Sequence, residues 1–275
     1  MSEREALVRS NQPRETWTLN RERYSRRSTA ESVAPLVKQK PTRPNPGERM
    51  QFALISRDSE RFQNLRNVFD RNFSSIFVVA DPAALVRAIS SSDLHGIVID
   101  CLDEEYNPID VVQSIRPVTS AALIALIQAD DELTRILALE SGADDCLGPN
   151  FNPRELLARL RAIVRRSGAI SPGTGDVIQL GEIQIHRREF RVMVAGRECE
   201  LTHAEFTVLE HLMMAEGSIV TRDELSLRAL GREQRVEDRS IDVHVCRLRQ
   251  KLGPAPNGCQ RILSVRGRGY RIRSE

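Results

Sequence analysis

Short apolar runs alternate with amphipathic stretches from residue 51 to residue 166. The apolar runs are nearly continuous, which is typical of strands buried on both faces of a parallel sheet. Between them, apolar residues recur at helical spacing. Five such strand–helix repeats predict an α/β fold, a doubly wound parallel sheet with helices on both faces. The predicted strands are residues 52–55, 76–79, 97–99, 123–127 and 146–147, and the predicted helices are residues 60–69, 82–89, 109–115, 132–141 and 153–166.

A different pattern follows residue 176. Residues 183–185 and 191–194 alternate apolar and polar side chains, as exposed antiparallel strands do. Thr202, with Glu205 three positions later, predicts a capping box at the start of a helix. Thr221 begins a second, weaker helix signal of the same kind. These elements predict a smaller α+β domain after the parallel sheet.

The last predicted helix, residues 236–252, carries a candidate binding surface. Its residues Ile241, Val245, Leu248 and Leu252 recur at helical spacing and form an inward stripe. The other faces are basic and mixed polar, which suits the major groove of DNA, where arginine contacts guanine and other cations meet phosphates. The outward or flanking residues are Arg239, Asp242, Val243, His244, Cys246, Arg247, Arg249 and Gln250.

Composition bounds the classes of function. The 275 residues suffice for two domains, each with its own core. The net charge is only +2, with 40 Lys and Arg against 38 Asp and Glu, so only the distribution of charge can indicate nucleic-acid binding. The five cysteines show neither paired nor metal-binding spacing, which favours isolated thiols in a reducing cytoplasm. With no nucleophile–base set or nucleotide-binding loop, we expect no enzyme, no metal site and no cofactor.

The remaining segments set the expected domain limits. No apolar run approaches the roughly 18 to 20 residues of a membrane span. Residues 1–49 are polar and rich in proline, which predicts disorder, and one alternative is that translation starts at Met50. A glycine-containing stretch predicts a flexible linker. The predicted divisions are a disordered extension (1–49), a parallel-sheet domain (50–166), a linker (167–176) and a DNA-binding domain (177–275).

Two segments near the C-terminus carry a family resemblance. Residues 236–244, reading VEDRSIDVH, and residues 265–271, reading VRGRGYR, resemble the effector domain of OmpR/PhoB-type response regulators. The resemblance runs from about Ile178 to the C-terminus and implies a winged helix-turn-helix fold. It further implies a dimer on double-stranded DNA with tandem half-sites, contact between residues 225–236 and RNA polymerase, and a place in the bacterial cytoplasm on the nucleoid.

The resemblance also distributes roles among the basic residues. It assigns base reading to Asp242, Val243, Cys246 and Arg247. It favours phosphate or mixed contacts for Arg239, His244 and Arg249. The wing arginines, Arg266 and Arg268, are expected to enter the minor groove.

The first domain resembles the receiver of the same family, because residues 142–145 (GADD) and 151–160 (FNPRELLARL) match its usual ending. Asp100 closes the third predicted strand and matches the phosphoacceptor. The family's partners of that aspartate are all replaced. Ser56 and Arg57 stand where the family has the two acids that hold Mg²⁺. Ile127 replaces the residue with a hydroxyl group, and Pro149 replaces the lysine.

This altered pocket leaves three alternatives open. Without a metal or a lysine, a lone carboxylate is a poor phosphoacceptor, because nothing stabilises the developing charge. In one hypothesis, Arg57 pairs with Asp100 as a fixed substitute for the missing cations. In the second, Asp100 is a relic without a special role. In the third, Asp58 is a displaced metal ligand and some phosphorylation remains.

The charged residues of the family's dimer face are retained. The resemblance places that face on the fourth helix, fifth strand and fifth helix of the receiver, and predicts a dimer that needs no phosphorylation. The matching residues are Arg135, Glu140, Asp144, Asp145, Glu155, Arg159 and Arg166.

Two alternative functions remain open. The first is a conventional regulator that a sensor kinase phosphorylates at Asp100. The second is a receiver-like module that senses a partner protein or a ligand.

Overall fold

The structure is a computed structural model. It describes residues 50–72, 74–89, 94–102, 106–128, 132–166, 176–234 and 237–273. The predicted N-terminal extension and almost all of the predicted linker lie outside the described residues. Below, residues 50–166 are called the parallel-sheet domain and residues 176–273 the winged-helix domain.

The parallel-sheet domain contains a five-stranded parallel sheet in the order β2-β1-β3-β4-β5. Every residue of β3 and β4 is buried, which agrees with the continuous apolar runs of these central strands. In the register, Asp100 at the end of β3 lies beside Leu126 of β4, so it reaches the carboxyl edge of the sheet. The strands are β1 (Met50–Ile55), β2 (Ser74–Val79), β3 (Gly96–Cys101), β4 (Ala122–Ile127) and β5 (Asp145–Leu147).

Five helices cover the two faces of this sheet, as predicted. On one face, α1 and α5 pack Leu65, Phe69 and Leu160 against the strands. On the other face, α2, α3 and α4 contribute residues such as Leu85 and Val112. Burying one such side chain stabilises a fold by about 1.5 to 3 kcal/mol. The helices are α1 (Ser59–Arg71), α2 (Pro82–Ile89), α3 (Pro108–Ile115), α4 (Glu132–Ser141) and α5 (Pro153–Arg166).

The winged-helix domain combines two antiparallel sheets with three helices. Its first sheet has the order β6-β7-β8-β9 and its second the order β10-β12-β11. The predicted capping box is confirmed, because the Thr202 hydroxyl accepts from Glu205 N–H and the Glu205 carboxylate accepts from Thr202 N–H. The elements are β6 (Val177–Leu180), β7 (Ile183–His186), β8 (Arg191–Val194), β9 (Arg197–Cys199), α6 (His203–Met214), β10 (Val220–Thr221), α7 (Arg222–Ala229), α8 (Ser240–Leu252), β11 (Ile262–Val265) and β12 (Gly269–Ile272).

Helix α8 begins later than predicted, at Ser240 rather than at residue 236. The Asp238 carboxylate accepts from Ser240 N–H at 2.9 Å and also binds Arg232. A short acidic side chain that bonds nearby backbone in this way competes with helix formation. The correction therefore places Arg239 at the helix boundary and not within α8.

The wing is the hairpin of β11 and β12. Gly267 adopts a positive φ of 70° at its tip, as a tight turn requires. At Gly269 a Cβ atom would collide with the carbonyl oxygen of Val220, so glycine allows β10 to pair with β12. Within the described ranges, no helix is long and apolar enough to cross a membrane, and no cluster of His, Cys, Asp and Glu could hold a metal ion.

Candidate nucleic-acid interface and switch pocket

Asp100 lies where the sequence predicted it, and both of its carboxylate oxygens already accept hydrogen bonds from the protein. It is only 4% exposed at the carboxyl end of β3. One carboxylate oxygen accepts from the Ser56 hydroxyl at 2.7 Å and from the Arg61 guanidinium. The other oxygen accepts from Leu102 N–H at 3.2 Å. Both oxygens are therefore held by donors of the chain itself.

The cation beside Asp100 is Arg61 and not Arg57, which corrects the sequence-based hypothesis. Arg61 lies in the first turn of α1, where it also pairs with Asp58 at 3.0 Å. The Asp58 side chain is the N-cap of that helix, because it accepts from Arg61 N–H. Arg57 instead donates to the carbonyl oxygen of Ala80 at 3.3 Å and lies 5.8 Å from the ring centre of Tyr106.

Ile127, one of the altered positions, and Cys146 of β5 make this edge of the sheet apolar. Ile127 is fully buried and Cys146 is 1% exposed, and both belong to one hydrophobic core cluster with Ile99. Burial raises the pKa of the Cys146 thiol, so it stays protonated. Pro149 is exposed in the turn after β5. Among the residues that the structure describes, one guanidinium and one hydroxyl contact the Asp100 carboxylate. The Asp58 carboxylate already serves as the N-cap of α1 and as a partner of Arg61.

The inward stripe of α8 is confirmed. Ile241, Val245, Leu248 and Leu252 are all at most 4% exposed in the core of the winged-helix domain. Burial of each of these side chains stabilises the fold by about 1.5 to 3 kcal/mol. Their burial therefore fixes the orientation of the helix. The side chains of α8 that the sequence assigned to DNA contact consequently lie on the remaining faces of the helix.

Two of those candidates brace α8 within its own domain. The Asp242 carboxylate pairs with Arg222 at 2.8 Å and accepts from the Tyr270 hydroxyl. The Arg249 guanidinium donates to the carbonyl oxygen of Ile262 at 2.9 and 3.0 Å. These bonds tie the helix to α7 and to the wing, so both side chains position the reading surface in this form.

Two further candidates are covered by the parallel-sheet domain. Val243 is 7% exposed and belongs to the hydrophobic cluster that includes Ala138 and Leu139 of α4. His244 is 1% exposed, and its Nε2 lies 3.0 Å from the carbonyl oxygen of Asp144. In this form, neither side chain is accessible to DNA.

Arg247, the candidate for guanine contact, binds the C-terminal end of α4. Its guanidinium donates to the carbonyl oxygens of Leu139, at 3.0 Å, and Glu140. These carbonyls lack partners inside the helix, and a cation is favourable at this negative end. Arg247 also pairs with Glu205 at 2.7 Å.

Asp144 makes the reciprocal contact with the start of α6. One oxygen of its carboxylate accepts from Ala204 N–H at 2.9 Å, in the first turn of that helix. The other oxygen accepts from Leu123 N–H at 2.9 Å and pairs with Arg116 at 3.2 Å. Burial alone would raise the pKa of Asp144, but the charges of Arg116 and His203 and these bonds lower it. Asp144 therefore carries a negative charge at the positive end of a helix in the other domain.

Asp145 forms a second ionic contact across the interface. Its carboxylate pairs with Arg159 of α5 at 2.6 Å and with Arg232 of the winged-helix domain at 3.2 Å. Arg232 also pairs with Asp238. Burial alone would raise the pKa of Asp238, but the hydrogen bond and charge of Arg232 lower it to about 2. We call the contacts of Asp144, Asp145, Arg232 and Arg247 across the domains the latch.

The other predicted residues are not part of the latch contacts described above, apart from the backbone of Glu140. Cys246, Arg266 and Arg268 are exposed, and Arg239 pairs with Glu132 at 3.2 Å. The dimer-face residue Glu155 pairs with Arg159, and Arg135 is half-buried. Glu140 contributes its carbonyl oxygen to Arg247, and the side chain of Arg166 is outside the described residues.

Sequence reasoning missed Arg61, Arg116 and Arg232. For Arg61 a signal existed, because the first turn after β1 lies at the same sheet edge as Asp100. For Arg232 no local signal existed, because its partner Asp145 is 87 positions away.

Comparison of the sequence with known proteins places the chain among transcriptional regulators. The family model described as "Transcriptional regulatory protein, C terminal" matches residues 196–272. The transcriptional regulatory protein CpxR of Klebsiella pneumoniae is 33% identical over 223 residues, covering 79% of this chain and 95% of CpxR. The sensory transduction protein RegX3 of Mycobacterium leprae is 31% identical over 198 residues, covering 72% of this chain and all of RegX3.

A solved structure resembles the chain in fold. A cysteine-to-aspartate mutant of RitR superimposes with a TM-score of 0.65 at 18% identity. The match covers 82% of this chain and all of the mutant protein. At this identity, the likeness concerns the fold alone.

Proposed function

Because this chain belongs to the OmpR/PhoB-type response regulators, which are DNA-binding transcription regulators and not enzymes, we propose that it regulates transcription without phosphorylation of Asp100. The observation that carries the proposal is the ion pair between Asp100 and Arg61. Phosphoryl transfer needs cations that neutralise the charge developing on the phosphoryl oxygens. Among the described residues, the cation that pairs with this carboxylate is Arg61, and it does so while Asp100 is unmodified.

The closed form, in which the two domains are in contact, is the resting form of the proposed regulator. Val243 and His244 are buried against the parallel-sheet domain, and Arg247 is occupied at the end of α4. Separation of the domains exposes these side chains to DNA. Since the latch breaks without a covalent change, the equilibrium between closed and open forms depends on its hydrogen bonds and ion pairs.

The same separation frees the predicted dimer face. Asp144 and Asp145 hold the winged-helix domain in the closed form, so they cannot also join a second copy of the chain. In the open form they pair with that copy together with Arg135, Glu140, Glu155, Arg159 and Arg166. Exposed ion pairs contribute only about 0 to 1 kcal/mol each, so their role is to set the register of the dimer. Such a dimer reads two half-sites about one helical turn apart.

The domain limits and further contacts complete the proposal. Residues 177–275 read DNA, residues 167–176 link the domains, and residues 225–236 meet RNA polymerase. Arg266 and Arg268, exposed at the wing tip, enter the minor groove beside the helix. Such a regulator acts in the bacterial cytoplasm, on the nucleoid.

The test is the molar mass of the full-length protein by light scattering, on a DNA fragment that it selects from a random-sequence pool. Acetyl phosphate with Mg²⁺ is then added to one half of the sample. We expect a dimer on DNA in both halves, and the Asp100→Asn variant should behave in the same way. A protein that dimerises only after the phosphoryl donor, and loses this response in Asp100→Asn, would contradict the proposal.

A further inference from the structure

A cavity of about 660 Å³ lies where the two domains meet. Its wall comes from α4, from the loop between β5 and α5, and from the segment before α8. Cavities that hold small organic ligands usually measure about 300 to 1,000 Å³. The volume therefore fits a ligand of the size of a nucleotide or an aromatic acid.

We propose that this cavity binds a small organic anion, which holds the domains together and weakens DNA binding. The inference rests on the closed and open forms of the proposed function and names the ligand that shifts them. It differs from occupation of the old phosphorylation pocket, because the cations that line the cavity belong to both domains and none of them contacts Asp100.

Arg135 is the cation that points to an anionic ligand. It is half-buried on the cavity wall, and no described residue forms an ion pair or hydrogen bond with its guanidinium. Its guanidinium has five donors and no acceptor, in a fork that matches a carboxylate or phosphate. Arg239, in the segment before α8, also lines the cavity and pairs with Glu132 at 3.2 Å, and both side chains are more than half exposed.

The other arginines of the cavity are less available. Arg159 is bound by Asp145 and Glu155, and Arg232 by Asp145 and Asp238. These two side chains hold the shape of the cavity. The anionic group of the ligand consequently binds between Arg135 and Arg239.

The floor of the cavity favours an apolar or aromatic body. Leu139, Cys146 and Leu147 are buried there, and Ile136 and Phe151 are half-buried. Contact with these side chains removes apolar ligand surface from water, at about 25 cal/mol per Å². An inorganic phosphate ion would leave that surface uncovered.

The effect on DNA binding follows from the position of the cavity. A ligand that touches both Arg135 and Arg239 has its full site only while the domains are closed. A ligand that binds one form of an equilibrium stabilises that form in proportion to its occupancy. Because the closed form buries Val243 and His244, ligand binding should lower the affinity for DNA.

The test uses 8-anilinonaphthalene-1-sulfonate, a fluorescent aromatic anion, with the full-length protein. We expect one site per chain, and a dissociation constant about tenfold higher in Arg135→Gln, as the loss of one charge-assisted contact implies. The matched control is Arg154→Gln, since Arg154 is exposed on α5 and is not part of the cavity wall. The control should bind like the unmodified protein.

A second probe and a second measurement sharpen the test. N-phenyl-1-naphthylamine lacks the sulfonate, so it should bind more weakly and be indifferent to Arg135→Gln. The sulfonate should also raise the dissociation constant for DNA in the unmodified protein and not in Arg135→Gln. Equal weakening by Arg154→Gln, equal binding of the neutral probe, or unchanged DNA affinity would each overturn the inference. Those outcomes leave the light-scattering test of phosphorylation independence intact.

Discussion

At the scale of single residues, the central feature is the guanidinium that lies beside Asp100. The Asp100 side chain is 2% exposed and that of Arg61 is 22% exposed, so the ion pair is largely shielded from water. A carboxylate buried at this depth without a cation would be costly. Arg61 therefore stabilises the fold while occupying the carboxylate that a phosphoryl group would need.

The first prediction concerns this ion pair. Arg61→Gln should lower the free energy of unfolding by about 2 kcal/mol, because Asp100 loses its charged partner. Urea denaturation measures the change. The matched control is Arg66→Gln on the same helix, where the exposed pair with Asp70 should contribute less than about 0.5 kcal/mol. Equal effects of the two substitutions would show that Arg61 does not stabilise Asp100.

The pairing of Asp100 could be anticipated only in part. The sequence showed that the metal-binding acids were replaced, and one of the three open hypotheses paired Asp100 with Arg57. The choice depends on the N-cap at Asp58, which turns α1 so that its first-turn arginine faces the end of β3. A single sequence does not fix the direction of a side chain in a loop.

At the scale of elements, two helix ends are satisfied across the domain interface. Asp144 accepts from the first turn of α6, and Arg247 donates to the last turn of α4. Each contact satisfies backbone groups that a helix leaves without internal partners. The closed form thus provides partners that water must replace when the domains separate.

The second prediction concerns pH and His203, the first residue of α6. Burial lowers the pKa of His203 from its ordinary value of 6.5 to about 4, and the nearby Asp144 only partly opposes this effect. Because the unfolded chain binds a proton below pH 6.5 while the folded chain does not until about pH 4, stability is fully present above pH 6.5. It should fall as the pH falls, by about 2 kcal/mol at pH 5.

Urea denaturation at pH 7 and pH 5 measures this loss. In His203→Gln the difference between the two pH values should shrink, since the substituted side chain does not titrate. His244, whose pKa burial also lowers, accounts for part of the remaining difference. An unchanged pH dependence in His203→Gln would show that another group is responsible.

The elements show what a sequence pattern can predict and what it cannot. Apolar periodicity correctly predicted the five strand–helix repeats and the inward stripe of α8, and the spacing of Thr202 and Glu205 correctly predicted the capping box. Short strands such as Val177–Leu180 and Val220–Thr221 were missed, because they are defined by their partners in the sheet. The start of α8 was placed too early, because the bond between Asp238 and Ser240 is not part of a periodic pattern.

At the scale of the whole molecule, the closed form joins the two regions that the sequence assigned to separate tasks. Residues assigned to DNA reading contact residues assigned to dimerisation. His244, for example, binds the backbone of Asp144, which lies 100 positions earlier in the chain. The sequence predicted both sets of residues, but their mutual contact depends on the packing of two domains. In the proposed mechanism, one opening step makes both sets available together.

The measurement that tests this mechanism most directly is the DNA affinity of the latch variant Arg232→Gln, without a phosphoryl donor. Arg232 joins Asp145 across the interface, and removing a cation from the chain cannot by itself strengthen phosphate contacts. We predict about tenfold tighter binding of the full-length variant to the selected fragment, as the loss of one charged contact from the closed form implies. The control Arg188→Gln, which removes an exposed pair with Asp176, should bind like the unmodified protein. Equal or weaker binding by a folded Arg232→Gln variant would contradict the mechanism.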